Sequence, residues 1–352
     1  MRNDLSVSVD TLSGLVGQQI THLVVDRNDH IYLADRSQHK IHVISPEGRY
    51  LDSIGKQGRG PGEFERNFKS VSIYNDTLYV VENDPSRFSV FRLDNRQLIR
   101  MQYFPDVTID EDRIGAPELL YPMANGAYQM VFPNYRMARY GITYDHVTFS
   151  IFDYDLEPVD KVVRTFPPTQ YFVYTDPQTG GEAIFGNFGE GLVPETLVDF
   201  DSQGNLYVAQ SDSMHIRVFD PAGSKIREIS YDYIPPPLTQ GDVDSIASIF
   251  SAPHAKQFFY DAIEQNNVQV PGHWMAMQTL LIDDRDRIWV ELINPGEKKH
   301  TWWVFGKDGK PKWQFQLSRH IQVYVVRNYK IYGIWSKEGE YPRIVRYHVE
   351  GI

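Results

Sequence analysis

The chain has 352 residues, 41% hydrophobic and 23% charged, the balance of a folded protein rather than a disordered one. Its net charge of -11, with no basic stripe anywhere, excludes a nucleic-acid binder. It has no cysteine, which excludes disulfides, thiolate zinc sites and cysteine nucleophiles, and no apolar run near the ~20 residues of a membrane span.

Aromatic residues make up 13% of the chain, a composition suited to many short strands. The opening segment MRNDLSVSVD lacks the apolar core of a signal peptide, so either a cytoplasmic start or the mature part of an exported protein fits it. Within residues 4–10, Leu5, Val7 and Val9 alternate with Ser6 and Ser8 as a strand with no local partner.

From Ile20 the pattern becomes regular. Leu23–Val25, Ile31–Ala34, Lys40–Ile44 and Tyr50–Ile54 are short β-branched and aromatic runs separated by turn signals, too short for helices with an apolar stripe. Four antiparallel strands in about 35 residues make one propeller blade, and a single blade cannot bury both of its faces. The glycine-rich GKQGRGPGEF, Gly55–Phe64, is the crossing to a second blade over 68–104.

A third blade spans 117–165, with strands at Glu118–Tyr121, Ala127–Phe132, Val147–Asp153 and Val159–Thr165 and a long loop around Asn134–Tyr144. An insertion at 166–191 carries Tyr171, Phe172, Tyr174, Phe185 and Phe188, which predicts packing on the body of the protein. The fourth blade, 195–230, matches the first without a gap: VDRNDHIYLADRSQHKIHVISPEG answers to FDSQGNLYVAQSDSMHIRVFDPAG. A second insertion, 235–275, predicts two short helices within Asp242–Asn266, with Val243, Ile246, Ile249 and Phe250 on one side and Pro253 dividing them from Phe258, Phe259, Ala262 and Ile263.

Blade five covers 277–317. Blade six, 321–350, has only three strands, and the orphan strand at 4–10 supplies the fourth. The expectation is one all-β domain over 1–352: a six-bladed β-propeller of four-stranded antiparallel blades. The N-terminal strand closes the ring and so removes exposed edges, and a short helical insertion separates blades four and five.

Gly55, Gly58, Gly60, Pro61, Gly62 and Phe64 in the crossing resemble the NHL repeat. So do Asp26, Ile31, Tyr32, Leu33, Ala34, Asp35, Lys40, Ile41, Val43 and Gly48 in blade one, and Asp201, Gly204, Leu206, Tyr207, Val208, Ala209, Ile216, Val218, Phe219 and Gly223 in blade four. Blade five, from Asp283 to Val290, also resembles the D-x-x-G-x-hydrophobic-Trp-Val pattern of bacterial six-bladed propellers, with Asp286 where glycine is usual. Many of those proteins are exported or lipid-anchored. The resemblance therefore implies an extracytoplasmic protein whose leader is absent from this sequence, while the residues leave a cytoplasmic home open. It names no chemistry, because this fold hosts lactonases, lyases, ligand sensors and scaffolds alike.

The innermost strands open onto the central channel at Thr21 and His22, Lys69 and Ser70, Glu118, Glu195 and Thr196, Gln278 and Thr279, and Gln322. A lactonase-type metal site needs two or three carboxylates around the channel, and the NHL-related amidating lyases imply a multi-histidine zinc site. Here one histidine and two carboxylates stand there beside a lysine, and His273 is within reach from the loop before blade five. No GxSxG, HExxH or P-loop occurs. Asp26, Asp201 and Asp283 begin turns and are expected to cap them through backbone amides, while Asp35, Glu82, Asn83, Gln210, Ser211 and Glu291 end second strands on one rim.

Two functional readings follow. The first is a non-enzymatic propeller, without cofactor or membrane span, that binds a small ligand, peptide or protein at a rim shaped by the two insertions. Its contact candidates are Lys69, Gln278, Gln322 and Trp303; Trp302 and Trp303 must face opposite sides of their strand. The alternative is a metal-dependent lactonase or lyase at the channel mouth, using calcium or zinc with His22, Glu118 and Glu195 as both ligands and catalytic groups.

Overall fold

Every strand in a propeller blade has two faces to bury, and this chain meets the requirement at six seams rather than in one central core. In the computed structural model the described residues are 1–351 apart from 13–18, 66–67, 84–85, 105–107, 110–111, 114–115, 139–140, 167–171, 186–191 and 249–253. They form six four-stranded antiparallel sheets whose innermost strands are Ile20–Val25, Phe68–Tyr74, Leu119–Pro122, Thr196–Phe200, Met277–Ile282 and Ile321–Arg327. The innermost strands of blades one and two, two and three, four and five, five and six, and six and one lie against each other, so the ring closes around an axial channel.

The apolar clusters map onto the seams. Leu23, Val25 and Ile31 of blade one meet Tyr332, Ile334 and Ile344 of blade six, while Tyr32, Ile41 and Val43 on the opposite face of blade one meet Val71, Leu78 and Val80 of blade two. Further clusters join blades two to three, three to four, four to five and five to six. A strand such as Ile31–Asp35 is therefore buried along its whole length, which is why it reads as a continuous apolar run instead of an alternating one.

The ring is closed by the first strand. Arg2–Ser8 pairs antiparallel with Arg343–His348 as the outer strand of blade six, Leu5 enters the seam between blades six and one, and Arg346 donates to Asp4 at 2.9 Å and to the Pro46 carbonyl at 2.7 Å.

The turn aspartates behave as anticipated. Asp26, Asp201 and Asp283 each accept two backbone amides, two and four residues on, at 2.8–2.9 Å. The third residue after each sits in the left-handed region, at φ 64° for Asp29, 80° for Gly204 and 58° for Asp286. Aspartate costs more than glycine there, and both aspartates use their carboxylates between blades. Asp29 accepts from Tyr332 Oη and Asn328 Nδ2 at 2.8 Å and pairs with Lys330, fastening blade one to blade six. Asp286 accepts the Ser202 amide of blade four at 2.9 Å and Lys307 at 2.6 Å.

The crossing after blade one is fixed from beneath. Arg87 and Glu82 are fully buried and paired at 2.7 Å. Arg87 also donates to the Arg59 and Glu63 carbonyls at 2.7 Å each, and Glu82 accepts the Glu65 amide at 2.8 Å. Gly55 is obligatory beside it: at φ 84°, a Cβ would fall 2.3 Å from the Phe64 ring.

One expectation is corrected. The long loop around Asn134–Tyr144 is instead a continuation of two strands, Tyr128–Ala138 and Gly141–Phe152, paired out to Ala138 opposite Gly141. Pro133 and Asn134 read as breakers, but a register shift between Asn134 and Tyr135 absorbs them, as a bulge does.

The two insertions pack on each other. The first forms a hairpin, Phe172–Thr175 with Glu182–Phe185; the second forms α1, Gln240–Ala247, and α2, Ala255–Gln265. Thr239 starts α1 with a capping box to Asp242, and Val243, Ile246 and Ala247 supply the buried stripe. Tyr174 stacks on Phe258 of α2 at 4.4 Å, and Gln265 brackets the Thr175 backbone at 2.9 and 3.2 Å. Ile249, Phe250, Pro253, Tyr171 and Phe188 lie outside the described residues.

Candidate functional site

Because the innermost strands run in the same direction, their first residues come together at one mouth of the channel and their last residues at the other. At the first mouth, Lys69 of blade two pairs with Glu118 of blade three at 2.7 Å. His22 lies beside them, its Nδ1 3.0 Å from Thr21 Oγ1. Burial lowers the His22 pKa to about 4, and the Lys69 charge adds to that against a hydrogen bond to the Lys69 backbone. The imidazole is therefore neutral at pH 7 and the neighbouring carboxylate is already occupied by a lysine.

Glu195, Gln278 and Gln322, from blades four, five and six, line one cavity of about 560 Å³ together with Thr279, Glu291, His300, Arg319 and His320. Glu291 is committed inside it, accepting from Thr279 Oγ1 at 2.6 Å and paired with His300 Nδ1 at 2.8 Å. The same tie recurs at the ends of other second strands. Asp35 meets His42 at 3.3 Å in a fully buried pair, Glu82 meets Arg87, and Gln210 donates to Thr196 Oγ1 at 2.7 Å. These rim residues hold a blade's own strands together.

Trp303 stands apart from the mouth. Its partner Trp302 is buried, while Trp303 is half-buried on the outside of blade five, edge-on to Tyr231 at 5.0 Å and Tyr233 at 5.5 Å, over a depression of about 230 Å³ shared with Lys312 and Trp313. The seven candidate residues thus fall into three groups: His22, Lys69 and Glu118; Glu195, Gln278 and Gln322; and Trp303.

Among the described residues no three His, Cys, Asp or Glu side chains come together in a way that could hold a metal ion. At the first mouth Lys69 already pairs with Glu118, so a cation bound there would have to displace that ammonium.

The insertions border this same mouth. Leu192 and Val193 precede Glu195, Trp274 and Met275 precede Gln278, and Ile293 follows the second strand of blade five; all five pack with Val243, Ile246, Phe259 and Ala262 of the helices. The Trp274 amide donates to the Pro236 carbonyl at 2.9 Å, which seats the proline run against the start of blade five.

Two features were not singled out from the sequence. Arg319 and His320 occupy the turn before the innermost strand of blade six, and polar residues directly ahead of Ile321 were the available signal. Asp199 stands inside the fourth innermost strand where blade one has Val24 and blade five Leu281, a charge in an apolar register. Its carboxylate accepts the Ile282 amide of blade five at 2.6 Å and the Phe200 amide at 2.8 Å, and burial raises its pKa to about 7.

The two shifted groups move stability in opposite senses. As pH rises from about 4 to 6.5 the unfolded chain gives up a proton at His22 that the folded chain already lacks, so this contribution to stability grows with pH. Between 3.8 and about 7 the folded chain retains a proton at Asp199 that the unfolded chain has lost, so that contribution falls as pH rises. His22→Gln is expected to remove the rising component and Asp199→Asn the falling one, read from urea unfolding across about pH 4–8. Curves that stay parallel to the wild type would contradict both assignments.

Comparison with known proteins agrees with the architecture. The profile of the DUF5128 family, described as 6-bladed beta-propeller, matches residues 14–150. The chain is a six-bladed β-propeller. Its fold is similar to that of a protein from Bacteroides fragilis described as exported, at 9% identity and a TM-score of 0.57, covering 99% of this chain and 95% of that one. It is equally similar to a member of the DUF4221 family from Bacteroides vulgatus, at 11% identity and a TM-score of 0.57, covering 98% and 95%. No curated protein sequence matches the chain. At these identities the likeness concerns the fold and leaves the chemistry of the mouths to their own residues.

Proposed function

We propose that this propeller is a non-enzymatic binding protein whose recognition surface is the insertion-bordered mouth, with a small polar ligand or the end of a peptide as its occupant. The observation that carries this reading is the 560 Å³ cavity, which gathers Glu195, Gln278 and Gln322 from three blades around Glu291 and His300, which are already paired. A catalytic site needs an acid, base or nucleophile left poised for a reacting group. Here Glu291 is tied to His300 and Thr279 and Glu118 to Lys69, and His22, with its pKa lowered to about 4, is a weak base. A cavity of this size with a few convergent polar groups suits recognition.

The NHL-like repeat of blades one and four and an extracytoplasmic home belong to the same proposal. The first rests on the crossing glycines and turn aspartates, the second on the resemblance to exported propellers.

The test is a thermal-shift screen of small polar compounds and short peptides on the full chain, repeated on Gln278→Ala and Arg319→Ala. A compound that raises the melting temperature of the wild type should lose about tenfold or more in affinity on either substitution. Hits indifferent to both variants would place recognition elsewhere and overturn the proposal.

A further inference from the structure

The opposite mouth, where the innermost strands end, holds a second cavity of about 650 Å³ that the reading above does not use. Its lining sets Tyr74 and Tyr79 from blade two, Tyr121 from blade three, Phe200 from blade four and Val325 from blade six among the polar Asn75, Thr77, Asp201, Ser202, Asp284 and Arg327. Tyr121 is anchored by donating to the Ser202 carbonyl at 2.9 Å, and Tyr74 meets it edge to face at 4.7 Å.

The Tyr74 hydroxyl has no hydrogen-bond partner among the described residues, although burial and the nearby Asp199 carboxylate hold its proton firmly. Ser72 Oγ and Arg327 Nε are buried without a partner, and Arg327 lines the cavity. The Phe200 and Ile282 amides that hold Asp199 belong to residues of the cavity wall, so the carboxylate lies directly behind it. A buried polar group left unsatisfied beside a cavity of this size, as Arg327 Nε is, is an unstable arrangement unless water or a ligand completes it.

The charges around the cavity disfavour an anion. Asp283 is neutralised by Arg287, while Asp201 and Asp284 stand against Arg327 alone among the lining residues. What remains is a set of aromatic edges and faces with hydroxyl and carboxylate groups behind them. That set complements a ring with apolar C–H faces and several hydroxyls. We propose that this second mouth binds an uncharged sugar ring against Tyr74 and Tyr121, with the Tyr74 hydroxyl as its hydrogen-bond partner.

Saturation-transfer NMR on the full chain tests this, with the methyl glycosides of glucose, galactose and mannose as probes and benzoate and benzylamine as charged rings of similar size. At least one glycoside should bind in preference to both charged rings, and Tyr74→Phe should weaken it about tenfold while keeping the melting temperature of the wild type or raising it. Asp199→Leu, which copies Leu281 of blade five, should weaken the same glycoside without unfolding the chain. Absence of glycoside binding would mean a cavity filled by water only and would overturn the proposal. So would preference for a charged ring, or binding that both variants leave unchanged.

Discussion

Arg87→Ala is expected to destabilise the protein by about 3–5 kcal/mol, the cost of leaving a buried charge without its partner. Arg87 and Glu82 are both shut off from solvent, so water cannot compensate either one. The substitution also abandons the Arg59 and Glu63 carbonyls, and with them the anchor of the crossing between blades one and two. An apolar replacement of the whole pair, Glu82→Met with Arg87→Met, should recover only part of the loss. It removes the stranded carboxylate but leaves those two carbonyls and the Glu65 amide unsatisfied. Equilibrium urea unfolding reads the difference, and a loss below about 1 kcal/mol for Arg87→Ala would mean that the loop is held by other means.

Deleting Met1–Val9 should have an effect of similar or greater size. Burial of Leu5 and Val9 alone is worth about 3–6 kcal/mol at about 1.5–3 kcal/mol for each side chain. The deletion also strips the outer edge of Arg343–His348, removes Asp4 from Arg346, and empties the space against Gly48 that Val7 fills. An unpaired strand edge beside an opened seam favours association between chains. The truncated protein should therefore unfold at much lower urea and elute as aggregates. A peptide spanning Arg2–Ser8, added in trans, should restore the monomer by strand addition. A truncated chain that stays monomeric with an unchanged unfolding midpoint would contradict this account of ring closure.

The architecture was legible because a propeller repeats its signals. Short β-branched runs, aspartate-led turns and the ungapped match between 25–48 and 200–223 fix the register, and one missing strand in blade six calls for one supernumerary strand at the start. Blade three was less legible since Pro133 and Asn134 mimic a loop where the chain only bulges.

The mouths were legible in part. Gln278 and Gln322 share a register position and Glu195 lies one residue ahead of it, so the repeat itself places all three at one mouth. Trp303 has no such position, and its apolar bulk leads to the outer face of blade five. Arg87 gave no warning, because its partners are backbone carbonyls of a loop some 25 residues earlier, and carbonyls carry no sequence signal. Asp199 could have been found by setting the innermost strands side by side, where an acid stands among valine, serine, tyrosine and leucine.

The most direct test of the binding reading is the metal content of the purified protein, measured by mass spectrometry before and after mild chelation, with the melting temperature followed alongside. The pairing of Lys69 with Glu118, which sets an ammonium beside His22, predicts no metal in stoichiometric amount and an unchanged melting temperature after chelation. About one calcium or zinc ion per chain, retained through purification and lost together with stability on chelation, would contradict that account and turn attention to His22, Glu118 and Glu195 as its ligands.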